Sequence, residues 1–150
     1  MSYKRIKDRK KLVADCRVIC TQARPHYFDI YLWEDQESFL KNTIDMDEYT
    51  QGCCELASVL LDPESGFSIP PRKLGEVHFI KDKWDEEVVA HELCHALLHR
   101  LRELCPSIRS VMKQEKNYEE EICYEFGMWN KQVYRWLWLH NPNTNYERKK

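Results

Sequence analysis

The stretch His91-Glu92-Leu93-Cys94-His95 sets two imidazoles and a carboxylate in the spacing H-E-x-x-H. On a helix, residues four apart stand one turn apart on one face, so His91 and His95 can grip a single zinc ion through ring nitrogens. Glu92 stands about 100° round the helix from His91 and can reach a water on the metal without being a ligand itself. These are the parts of a metallohydrolase. Zinc would bring the pKa of its water toward about 7, and Glu92 would accept the proton as the water attacks a carbonyl. Glu92 would then hand that proton to the leaving amine.

A catalytic zinc takes three protein ligands and keeps one position open. One large class of zinc peptidases uses a His six residues after the second His, with a Gly midway; here those positions hold Leu101 and Leu98, which excludes that class. The other common source is a Glu on a following helix, and Glu119, Glu120 and Glu121 are available. On a helical wheel Glu120 shares a face with Cys123 and Gly127, whose small side chains would let the two helices approach closely. Glu119 falls on the bulky stripe with Ile122 and Phe126, and Glu121 on the opposite flank with Glu125 and Met128. Glu120 is the expected third ligand and Glu121 the alternative. Acidic residues also suit a first helical turn for electrostatic reasons alone, and Asn117 to Glu120 approximates a capping box.

The elements that must position these groups are legible around them. Asp82 or Asp85 can cap the histidine helix, and Pro106 limits its far end. Val89, Leu93, Ala96, Leu97, Leu101 and Leu104 form one apolar stripe, with His91 and His95 almost opposite and Leu98 beside them, so this helix is expected to be covered on two sides. A second long helix is expected from about Tyr118 to Leu139, because Ile122, Phe126, Trp129, Val133 and Trp136 recur at helical intervals. Before them, Cys16 to Thr21, Tyr27 to Trp33, Cys53 to Leu61 and Leu74 to Ile80 read as strands. The last alternates Val77 and Phe79 against Glu76 and His78, which predicts an edge strand with one wet face, able to hold an extended substrate by β-pairing. Glu34 to Asn42 suits a short helix, and residues 3 to 15, with six basic residues, suit a solvated first helix. The expectation is an α+β domain with a small mixed or antiparallel sheet, spanning residues 1–140, followed by a polar tail at 141–150.

His91 to His99, followed by Glu120-x-x-Cys123-Tyr124-x-Phe126-Gly127, resembles the ImmA/IrrE-like metallopeptidases over roughly residues 74 to 130. The resemblance implies a minimal zincin-like domain and peptide hydrolysis of a protein substrate. It implies His91, His95 and Glu120 as zinc ligands and Glu92 as general base. Oxyanion donors could come from His78, His99, Tyr118 or Tyr124. Cys94 is expected to be a packed thiol rather than a switch. Trp129 and Trp136 belong to the core stripe, while Trp33, Trp84 and Trp138 are open.

Composition narrows the alternatives. Twenty-three basic and twenty-five acidic side chains in 150 residues leave a net charge of −2, so no global field favours nucleic acid or an anionic membrane. A nucleic-acid role would rest on the basic cluster of residues 4 to 11, and a non-catalytic zincin-like module that binds protein is the other alternative. No run of eighteen apolar residues occurs, and the N-terminus leads into charge rather than an apolar segment. Seven cysteines without paired C-x-x-C knuckles read as reduced, mostly buried thiols. The expected location is the cytoplasm.

Overall fold

The computed structural model of the chain describes residues 8–20, 26–44, 46–56, 72–104 and 116–142. Among these described residues, four strands and three helices follow in the order β1 (Leu12–Ile19), β2 (Tyr27–Trp33), α1 (Gln36–Asn42), β3 (Gly52–Leu56), β4 (Lys73–Ile80), α2 (Glu86–Leu104) and α3 (Lys116–His140). The strands form one mixed sheet in the order β1-β2-β4-β3. β2 runs parallel to β4, and the two outer pairs are antiparallel. This is an α+β domain.

Strand alternation decides which side chains meet which layer. Phe28, Ile30 and Leu32 of β2 join Val77 and Phe79 of β4 in the larger core, with Val89, Leu93 and Ala96 of α2 and Trp129, Val133 and Leu137 of α3. Tyr31, Trp33, Cys53 and Ile80 lie on the opposite face, under Phe39 of α1. Asp35 caps α1 by accepting the backbone N–H of Ser38 at 2.8 Å. The α2 and α3 layer therefore covers one face of the sheet and α1 part of the other.

Two features correct the sequence reading. β4 is interior rather than an edge, flanked by β2 and β3, and all eight of its residues are buried. Its polar side chains face a charge network instead of water. Residues 12–15, expected in a helix, begin β1, where Asp15 pairs with Tyr31 and Arg17 with Asp29. The many charges there hid a strand, because its outer face is solvated.

The end of α3 is tied to the turn before α2. Asn141 Oδ1 accepts both the backbone N–H of Asp82 at 2.7 Å and Trp84 Nε1–H at 2.8 Å, and Asn141 Nδ2 donates to Asp82 Oδ1 at 2.8 Å. Asp82 itself sits at φ 63, a left-handed conformation that Asp tolerates better than most residues. Asn141 is thus part of the folded domain, whereas residues 143–150 lie outside the described residues.

Candidate functional site

Helix α2 starts where Asp85 Oδ1 accepts the N–H of Val88 at 2.8 Å, with Glu86 and Glu87 in its first turn. From that start Val89, Leu93 and Ala96 turn inward, and His91, His95 and Leu98 turn to solvent. That side of α2 is exposed, where cover on two sides was expected. The two histidines meet through their Nε2 atoms, 3.2 Å apart. Two nitrogens bound to one tetrahedral zinc at about 2.0–2.1 Å each would stand about 3.3 Å apart. The pair therefore fits two corners of a zinc site.

Glu92 lies between two exposed histidines yet is only 7% exposed itself. Its stem packs toward β3, where the backbone N–H of Cys54 favours the charged form of its carboxylate. Burial raises its pKa above the ordinary carboxylate value, against the opposing pull of His91, His95 and the Cys54 N–H. Two clefts open beside it. One, of 270 Å³, is lined by Thr50, Gln51, Gly52, Asp85, Glu87, Val88, His91 and Glu92. The other, of 230 Å³, is lined by Met46, Gly52, Cys53, Cys54, Glu92 and His95.

The third ligand is not assembled around this pair. The buried line of α3 runs through Glu125, Trp129, Val133 and Leu137, and Glu120 stands on the opposite, exposed side. Cys123 and Gly127 are exposed with it, and a Cβ added at Gly127 would meet nothing within 4 Å. The small face thus does not pack on α2 as the wheel suggested. Arg100 of α2 pairs with Glu125 of α3 at 3.0 Å, and Trp84 before α2 meets Tyr134 and Trp138, so the helices run antiparallel. Glu120 is then displaced from His95 by on the order of 15 Å along the helices. Among the described residues, no carboxylate or thiol joins His91 and His95 in a group whose ligand atoms all lie within 4.8 Å. Glu121 is exposed like Glu120.

The expected oxyanion donors are also dispersed. His99 is buried, Tyr124 is exposed, and the side chain of Tyr118 lies outside the described residues. His78 is fully buried on the far face of the sheet, stacked 5.0 Å from Tyr31. There it joins Glu55 and Glu76 in a group whose ligand atoms lie within 4.8 Å of one another. The strand register puts Arg17, Asp29, Glu76 and Glu55 in one row across all four strands. Lys73 Nζ lies 2.6 Å from Glu76 and 3.0 Å from Asp29.

Distance alone would let Glu55, Glu76 and His78 hold a metal, but two features oppose it. Trp33 Nε1–H donates to His78 Nδ1 at 3.0 Å, and an indole nitrogen can only donate. Nδ1 therefore carries a lone pair and Nε2 carries the proton, 3.3 Å from Glu76 Oε2, so a metal at Nε2 would need a doubly deprotonated ring. The Lys73 ammonium already occupies the cationic role beside Glu76. The group is a buried charge network. Its sequence signal was the alternation of Glu76 and His78, which looks the same facing water or facing buried partners.

Among the described residues six cysteines are free, with Cys20 and Cys53 buried and Cys94 and Cys123 exposed. Cys94 is therefore not packed, and Cys105 lies outside the described residues. Burial pushes the Cys54 thiol up to about 12, with Glu92 and Glu55 adding to the effect, so it stays protonated beside the site. Compared with known proteins, the chain matches no family model, no curated protein and no solved structure.

Proposed function

We propose that the chain is a zinc-dependent metallopeptidase of zincin-like architecture that hydrolyses peptide bonds of a protein substrate. The observation that carries this reading is the convergence of His91 and His95 Nε2 atoms at 3.2 Å with buried Glu92 between them. A core-packing role would not leave two histidines on solvent with their nitrogens converging, nor bury the one carboxylate between them. His91 and His95 would hold the metal, and Glu120, the third ligand that the resemblance to ImmA/IrrE-like peptidases implies, stands exposed and apart from them. A bound zinc would supply carbonyl polarisation and acidify a water. Glu92 accepts the proton of the attacking water and returns it to the departing amine.

The substrate strand in this reading is β3 rather than β4. β3 is a sheet edge beside α2, and both clefts run along it. An extended peptide added there would lie across Glu92. No helix among the described residues is long and apolar enough to cross a membrane, which is compatible with the proposed cytoplasmic location.

A second reading, a zincin-like module that binds protein without cutting it, is favoured by the exposed position of Glu120 away from the pair. A nucleic-acid role gains little from the described part of the basic cluster, since Arg9 and Lys11 pair with Asp15 and Asp35. Metal analysis tests the primary reading. One zinc per chain, lost in His91→Ala and in His95→Ala, is expected, and a folded protein that takes up no zinc would overturn it.

A further inference from the structure

Glu92 is the only buried member of the H-E-x-x-H motif's three polar groups, and the cause of its burial lies in β3. Gly52, Cys54 and Leu56 alternate onto the α2 side of this strand, opposite Phe79, Val77 and Gly75 of β4. At Gly52 the helix comes unusually close. A Cβ built there would stand 3.0 Å from Val88 Cγ1, 3.3 Å from Glu92 Cγ and 3.3 Å from the His78 carbonyl oxygen. The room left by the missing side chain is taken by Val88 Cγ1 and, next to it, the Glu92 stem. Two residues further along the same strand, the Cys54 N–H meets the Glu92 carboxylate. Gly52 and Glu92 are also the two residues common to both clefts, one of which reaches His91 and the other His95.

We infer that Gly52 is a positioning residue for Glu92: its missing side chain lets Val88 and the Glu92 stem seat against β3, which holds the carboxylate between the two clefts. This rests on the reading of Glu92 as the general base for its catalytic consequence, though the seat itself is independent of that reading. Any side chain at position 52 must displace Val88, Glu92 or the backbone of β4. Val88 is the nearest obstacle, so trimming it gives α2 room to keep its place. A base moved by a fraction of an ångström to 1 Å loses rate rather than substrate affinity, because its interaction is made in the transition state.

The test uses the full chain with zinc, in the variants Gly52→Ala, Val88→Ala, their double variant and Glu92→Gln. Two readouts are taken: the amide resonance of Cys54 in a proton–nitrogen correlation spectrum, and hydrolysis of fluorescein-labelled casein. Gly52→Ala should move the Cys54 amide in the same direction as Glu92→Gln. It should also lower kcat by about tenfold to a hundredfold with KM nearly unchanged. Val88→Ala alone should leave the Cys54 amide where it is, and the double variant should recover toward Val88→Ala in both readouts. A Cys54 amide unmoved in folded Gly52→Ala overturns the inference, as does a double variant no better than Gly52→Ala. If casein is never cut but the amide moves and recovers as expected, the seat stands and the peptidase reading falls. If casein is cut equally by wild type and Gly52→Ala, the reading stands and the inference falls.

Discussion

Arg100 of α2 and Glu125 of α3 form an ion pair of 3.0 Å with both side chains almost wholly buried. It fixes the height at which the two helices meet, and with it the distance between the histidines and the first turns of α3. Burying two charges is costly, and breaking such a pair leaves the other charge uncompensated. Glu125→Ala should therefore destabilise the fold by about 3–5 kcal/mol. Replacing both partners, Arg100→Met with Glu125→Leu, should cost clearly less. Denaturant unfolding of the three variants measures this, and equal costs for the single and double variants would contradict it.

The same pairing bears on the third ligand. With α3 held at this height, Glu120 and Glu121 are exposed and distant from the histidines. Glu120→Ala and Glu121→Ala should both keep zinc, while His91→Ala and His95→Ala lose it. Equilibrium dialysis with metal analysis decides. Loss of zinc in Glu120→Ala alone would support the ligand role that the family resemblance implies and would contradict the present placement of α3.

The charge network on the far face of the sheet predicts an acid response. Burial alone would raise the Glu76 carboxyl, but the His78 Nε2–H and the Lys73 ammonium outweigh it and hold its pKa below the ordinary value. A carboxyl depressed in the folded state contributes stability that is present above its unfolded pKa and is lost as pH falls below it. Melting temperature should fall from about pH 5 downward, and Glu76→Gln should flatten that acid limb while lowering stability at neutral pH. An acid limb as steep in Glu76→Gln as in wild type would assign it to other groups.

The sequence made the helix α2, its cap region and the facing of its histidines readable because caps and a 3.6-residue period are local properties. β2 was readable from its composition, because Tyr27 to Trp33 is rich in the aromatic and β-branched residues that favour strands. β4 was not, because alternation says that Glu76 and His78 share a face and leaves open what covers it. Long-range partners decided that, with Glu55 on one side and Asp29 on the other. In α3 the wheel grouped Glu120 with Cys123 and Gly127 correctly, yet small residues fit solvent as well as a close helix contact. Gly52 left no signal at all, since its role is the room it gives to Glu92 forty residues later.

Whether Glu92 takes the proton of the attacking water is decided by one substitution. Glu92→Gln keeps size and hydrogen-bonding capacity and removes the ability to accept a proton. Zinc content and hydrolysis of labelled casein are to be measured on the same wild-type and variant preparations. One zinc per chain is expected in both, and hydrolysis in wild type only. Equal hydrolysis by the zinc-loaded variant would contradict that role for Glu92.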